Sequence, residues 1–201
     1  MFSAGLDLPW VLSLQRNEMQ QFLTHFGKTF FRLMVLPCPT YAAIHSHAIA
    51  GGTVFAICTD ESFAVNSAAL KLGLVEVSLG MCFPGYISLV VSYALTKGNF
   101  AQHVLRGSSL TVQEAQKCGM ITSVVEEPTK LIPTIIERAS AIKNVSFPAF
   151  AETKRFLQLS QIQKAATPGF ADDLDQRFTQ VWFSEGTQSH LKAMVEKLKK
   201  K

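Results

Sequence analysis

The sequence predicts an α/β protein whose second half is a run of helices. Two observations carry this. Short apolar stretches bounded by Gly, Pro, Asn and Ser alternate with helical patterns as far as Val125. From Pro128 onward, helical patterns follow one another without an intervening strand. Residues 1–127 are therefore read as an α/β core and 128–201 as a helical region attached to it.

Met1 to Leu8 (MFSAGLDL) is apolar, turns at Ala4-Gly5, and reads as the end of a strand and the loop after it. Asn17 to Leu36 is a helix: Met19, Phe22, Leu23, Phe26, Phe30, Leu33 and Met34 recur at three- and four-residue spacing. Pro37-Cys38-Pro39 stops it. Thr40 to Ile44 reads as a buried strand, His45 to Ala50 as a turn and Gly51 to Cys58 as a short apolar helix. Ser62 to Val65 and Leu70 to Leu72 are strands around a turn at Asn66-Ser67, and Gly80 to Pro84 is a loop. Tyr86 to Leu95 and Asn99 to Arg106 are helices closed by Gly98 and Gly107. Thr111-Val112-Gln113-Glu114 is a capping box, so a helix begins there and ends at Gly119, before a strand from Met120 to Val125. Helices are expected over 128–143, 148–159, 169–183 and 187–200.

A chain of 201 residues with 48% hydrophobic residues can bury a sizeable core in one domain. No apolar run reaches the roughly 18 residues a membrane span needs. The formal charge of +4 comes largely from Lys197, Lys199, Lys200 and Lys201. No aromatic residues alternate with these lysines, which argues for a solvated helix end and against a nucleic-acid partner. Cys38, Cys58, Cys82 and Cys118 have no CxxC spacing and sit beside apolar or small residues, so free thiols are expected and a metal cage is not. That usage fits an intracellular, reducing compartment. Neither a signal peptide nor an SKL-type address is present, and mitochondrial, peroxisomal and cytoplasmic sites stay open.

Two features between His47 and Pro84 carry chemistry. Glu76 stands among Leu72, Leu74, Val75, Val77 and Leu79. Apolar surroundings disfavour its charged form, which raises its pKa and makes it a usable base near neutral pH. Gly51-Gly52 opens an apolar helix whose first N–H groups lack intrahelical partners and can hold a developing negative charge. An anion hole beside a base is what enolate chemistry requires. His45 and His47, two apart with no carboxylate or cysteine beside them, are read as incidental. The aromatic stripe of the first long helix is core or acyl-pocket lining.

The chain resembles the crotonase (enoyl-CoA hydratase/isomerase) superfamily. FSAGLDL is similar to the family's first oxyanion-hole loop, PCPTYAAIHSHAIAGG to the stretch leading to the second, and LKLGLVEVSLGMCFP to the strand and loop carrying the catalytic glutamate. VLRGSSLTVQEAQKCGMITSVV follows the helical segment after it. The resemblance implies a ββα spiral core, with the family's first strands ahead of Met1 missing, followed by C-terminal helices. It implies that the N–H groups of Ala4 and Gly51 bind the thioester oxygen and that Glu76 is the acid/base. Ser3, Leu6, Gly52 and Lys197 become substrate contacts, the lysine near the CoA phosphates. Hydratases carry a second glutamate where Val54 stands, so the resemblance is nearest to Δ3,Δ2-enoyl-CoA isomerases acting in fatty-acid β-oxidation. No cofactor beyond the CoA of the substrate and no metal is implied. A homotrimer or hexamer is expected from the resemblance; Phe170, Leu174, Phe178, Val181, Trp182 and Phe183, on the helices from Gly169 onward, suit its interface and burial within the same subunit equally well. Another acyl-CoA reaction, hydration among them, and a non-catalytic acyl-CoA-binding subunit are the alternatives.

Overall fold

The computed structural model describes residues 1–199. Its strands fall in pairs, and each pair sends one strand to each of two small sheets. β1 (Tyr41–Ile44) and β2 (Ala48–Ile49) precede helix α3 (Gly51–Ile57); β3 (Glu61–Val65) and β4 (Lys71–Gly73) precede helix α4 (Gly85–Lys97). β5 (Leu110–Thr111), α6 (Val112–Lys117) and β6 (Ser123–Val125) follow α5 (Ala101–Arg106). One sheet has the order β1-β3-β6, all parallel; the other has the order β2-β4-β5, with β2 and β4 parallel and β5 antiparallel. This is the ββα spiral that the resemblance implies.

The N-terminal segment joins the second sheet. Phe2 and Ser3 donate their N–H groups to the His47 carbonyl, Ile49 N–H donates to the Ser3 carbonyl, and Ser3 bridges Ala48 in parallel. Asp7 then caps α1 (Leu8–Ser13), accepting from Trp10 N–H at 3.2 Å. α2 (Arg16–Met34) follows, opened by a capping box of Gln15 and Glu18. Its apolar stripe lies on α4, where Gly27 allows close approach to Tyr86. α4 is apolar on most of its circumference, with Ile87, Leu89, Val90, Val91 and Ala94 buried, because it runs through the middle of the molecule.

After β6 a short 3-10 turn leads to α7 (Leu131–Ala141), α8 (Phe147–Leu157), α9 (Leu159–Ala166), α10 (Phe170–Trp182) and α11 (Glu185–Lys199). α10 packs against α2 and α4, and α11 against α1. Val11, Met19, Leu23, Phe178, Trp182 and Leu191 form a core cluster of their own there. Phe178 and Trp182 are thus buried within the chain, which decides between the two readings of them in favour of burial within the subunit. Lys154 is buried on α8 and pairs with Asp60 at 2.7 Å while donating to the Cys38 carbonyl at 3.1 Å.

Several elements depart from the sequence reading. The turn over residues 45–50 contains β2, two residues that are a strand only because Ala48 and Ile49 pair with Leu72 and Gly73. The strands on either side of Asn66-Ser67 do not pair with each other; they enter different sheets. Met120 and Ile121 are core residues ahead of a strand that starts at Ser123, not part of it. Helices α1 and α9 were not expected. Lys200 and Lys201, part of the basic tail, lie outside the described residues. No helix among the described residues is long and apolar enough to cross a membrane.

Candidate active site

Glu76 leaves the end of β4 through buried Leu74 and opens a one-turn 3-10 helix, Val77–Leu79. Its backbone is tied into that turn: Leu79 and Met81 donate their N–H groups to the Glu76 carbonyl at 3.0 and 2.9 Å. The side chain faces a cavity of about 130 Å³. Its Oε2 is shielded from solvent and has no hydrogen-bond partner among the described residues. Burial pushes this carboxyl up to about 7, partly offset by its own backbone N–H.

Ala4 and Gly51 line the same cavity. The pairing of Phe2 and Ser3 with His47 and Ile49 carries Ala4 alongside the start of α3. The two segments are close enough that a Cβ on Gly5 would lie 3.2 Å from the Gly51 nitrogen. Neither the Ala4 nor the Gly51 N–H has an acceptor among the described residues. Two free main-chain donors and one protonatable carboxylate therefore share an otherwise apolar chamber. Val54, one turn along α3, is also on its wall, and Glu76 is the sole carboxylate among the lining residues. Leu6, Leu8, Leu23, Phe26, Phe83 and Trp182 supply apolar surface. The stripe of α2 is thus divided, Leu23 and Phe26 facing the cavity and Phe30 and Met34 the core.

The other expected contacts are placed differently. Leu6 is on the cavity wall, whereas Ser3 and Gly52 lie behind it. Ser3 forms the bridge to Ala48, and Gly52 packs beneath Ser3 with no room for a side chain. Lys197 is exposed on α11 and does not reach the cavity. His47 Nδ1 lies 3.1 Å from the Lys71 N–H, an ordinary backbone contact, and His45 stands edge-on to Phe2.

Ala50 was missed by the sequence reading. It has φ 51° and ψ −121°, a conformation L-residues rarely adopt, and it is the one non-glycine residue with positive φ among the described residues. Its N–H donates to the Gly73 carbonyl at 2.8 Å, so the chain must reverse at Ala50 before α3 starts with Gly51. Such a backbone typically costs on the order of 1–3 kcal/mol. Relieving it by Ala50→Gly is expected to stabilise the protein by about 1 kcal/mol, after the glycine's greater unfolded-state entropy is subtracted. A thermal melt checks this; a lower midpoint than wild type would remove the strain argument. The aromatic and methionine side chains from α10 and α11, Phe178, Trp182 and Met194, had no local signal marking them as cavity wall.

An apolar chamber with one carboxylate and two free amides on its wall, built on a ββα spiral, is the framework of a crotonase-type protein. The model of the enoyl-CoA hydratase/isomerase family matches residues 1–201, and the chain belongs to that family. It is similar to enoyl-CoA delta isomerase 3 of Arabidopsis thaliana, 32% identical over 130 residues, which are 63% of this chain and 54% of that protein. The chain thus spans about half the length of this curated relative. Among solved structures, human mitochondrial delta3-delta2-enoyl-CoA isomerase superposes with a TM-score of 0.86 at 21% identity, covering 100% of this chain and 76% of that one. An enoyl-CoA hydratase from Mycobacterium avium gives 0.75 at 20% identity, covering 90% and 69%. These superpositions share the fold.

Proposed function

We propose that the chain is an enoyl-CoA isomerase that converts a 3-enoyl-CoA into the conjugated 2-enoyl-CoA, with Glu76 as its acid/base. The observation that supports this reading is the single carboxylate: Glu76 lines the chamber that also holds the free N–H groups of Ala4 and Gly51, and Val54, where the resemblance puts the hydratases' second glutamate, is on the same wall. With the thioester carbonyl against the two amides, Glu76 takes a proton from C2. The electron pair spreads over C2, C3, C4 and the thioester oxygen, and the same proton returns at C4. The double bond moves from C3–C4 to C2–C3. Substrate and product have one formula and one oxidation level, so the step calls for no electron carrier, and the CoA belongs to the substrate. Hydration would need a second group to activate water. A place in fatty-acid β-oxidation, where 2-enoyl thioesters are consumed, is part of the same reading.

The test is a product-resolved assay on a short and a long 3-enoyl-CoA. The expected result is new ultraviolet absorbance from the conjugated thioester, in a product of unchanged mass. A product heavier by one water would replace isomerisation with hydration. Assembly into a homotrimer or hexamer belongs to the proposal as well. The apolar side chains left exposed on α7 and α8, among them Ile132, Ile136, Phe147 and Phe156, offer the surface for it. Light scattering that finds a monomer at working concentration would remove that part.

A further inference from the structure

The wall of the chamber next to Glu76 is a loop, and both its ends are held by the last two helices. Met81, Cys82, Phe83 and Pro84 all line the cavity. On one side of them, Thr187 of α11 donates its hydroxyl to the Gly80 carbonyl at 2.8 Å. On the other, the Gly85 N–H, first in α4, donates to Asp175 Oδ1 of α10 at 2.8 Å. Thr187 and Asp175 are both buried, at 6% and 4% exposure, and neither lines the cavity. Among the described residues, these are the side-chain hydrogen bonds that reach the 76–85 segment from the C-terminal helices.

The Gly80 contact bears on Glu76 through a short mechanical path. The Glu76 carbonyl accepts from Leu79 and Met81, and Gly80 N–H donates to the Val77 carbonyl, so Gly80 is the closing residue of the turn that begins at Glu76. Gly80 has φ 77°, which ends the turn and aims its carbonyl at α11. A Cβ on Gly80 would meet Thr187 Oγ1 at 3.2 Å, so the two elements are in close contact and the hydroxyl bonds directly. Thr187 is itself fixed, its hydroxyl accepting from Ser184 Oγ at 3.1 Å.

We infer that Thr187 is a positioning residue for Glu76: by holding the Gly80 carbonyl, α11 sets the turn from which the carboxylate enters the chamber, while Asp175 holds the far end of the same loop. The inference rests on the proposed acid/base role of Glu76. A donor lost here leaves the carbonyl unpaired in a buried place and lets the turn move. A displacement of about 1 Å at a reacting group is enough to cost a large factor in rate.

The experiment compares Thr187→Val, which keeps the shape and removes the donor, with Thr187→Ser, which keeps the donor. In the isomerase assay, Thr187→Val is expected to lower kcat about tenfold with KM changed by less than about twofold. The acid limb of its kcat/KM profile moves to lower pH, because a loosened turn admits water to a carboxyl that burial holds at about 7. Thr187→Ser restores both. An arm independent of catalysis follows Cys82, which sits in the loop between the two holds. Its alkylation by iodoacetamide, located by peptide mass spectrometry, is expected to be several-fold faster in Thr187→Val and to return to the wild-type rate in Thr187→Ser. If wild type fails to isomerise, the functional reading falls and the alkylation arm still decides whether Thr187 holds the loop. Wild-type kcat, pH profile and alkylation in Thr187→Val, or equal losses in the Val and Ser variants, would overturn the inference. Should Thr187→Val fold poorly, Thr187→Ala, which also lacks the donor, is read in the same two assays.

Discussion

Glu76→Gln is expected to lower kcat by at least about a hundredfold, the usual range for removing a positioned acid/base. No neighbouring group can take over, since no other carboxylate lines the chamber. The same substitution should make the protein more stable at alkaline pH, and this effect does not depend on any assay. The carboxyl is raised from an ordinary 4.5 to about 7 in the folded chain. Between those values the folded state binds more protons than the unfolded one, so stability falls as pH rises through the window and levels off above it. The contribution is on the order of 3 kcal/mol. Glutamine carries no charge and escapes the decline. Denaturant melts at pH 5 and pH 8 should therefore show the variant gaining on wild type as pH rises. Parallel curves across that range would mean that Glu76 is not held in an apolar setting, and its case as a base would go with it. In wild type the base must be ionised, so kcat/KM should rise with pH about a midpoint near 7.

Gly52→Ala should be nearly as damaging, and Gly51→Ala should not. A Cβ at residue 52 would lie 2.9 Å from Ser3 Cβ and closer still to the Ser3 carbonyl oxygen, an acceptor already used by Ile49 N–H. The methyl must push the N-terminal segment off α3, and Ala4 travels with it. Overpacking of this kind typically destabilises by about 1–3 kcal/mol. Losing one of the two amides from an oxyanion site costs roughly a hundredfold or more in rate. At residue 51 the nearest atoms to a Cβ are Gly5 Cα at 3.4 Å and Phe26 Cζ at 3.7 Å, ordinary contact, and alanine keeps the N–H. Kinetics and thermal melts of the two variants make the comparison. Equal losses in both would show that the approach of Ser3 does not set the requirement for glycine.

The glycine pair illustrates how the site could be read in part from sequence. Its place ahead of an apolar helix marked it as a candidate anion hole, and the segment around Glu76 marked a carboxylate in apolar surroundings, which the structure buries. Yet the pair divides its labour: Gly51 faces the chamber, and Gly52 is small so that Ser3 can reach the helix. That division depends on residues 3 and 52 meeting, which no local pattern encodes. Of the expected substrate contacts, Ser3 is a sheet residue behind the cavity and Lys197 lies on an exposed helix surface.

What the sequence determined by itself is what short-range physics governs. The stripe of α2, the capping box at Thr111, the glycine and proline stops and the apolar run around Glu76 all act within a turn or two of chain. They suffice for the α/β class and for the chemical character of the carboxylate. Tertiary structure alone decided the pairing of two-residue strands such as β2 and the strained turn at Ala50. It also closed the chamber with Phe178, Trp182 and Met194, and held its loop through Thr187 and Asp175. Each of these draws its energy from a partner twenty or more residues away, so nothing in its own neighbourhood announces it.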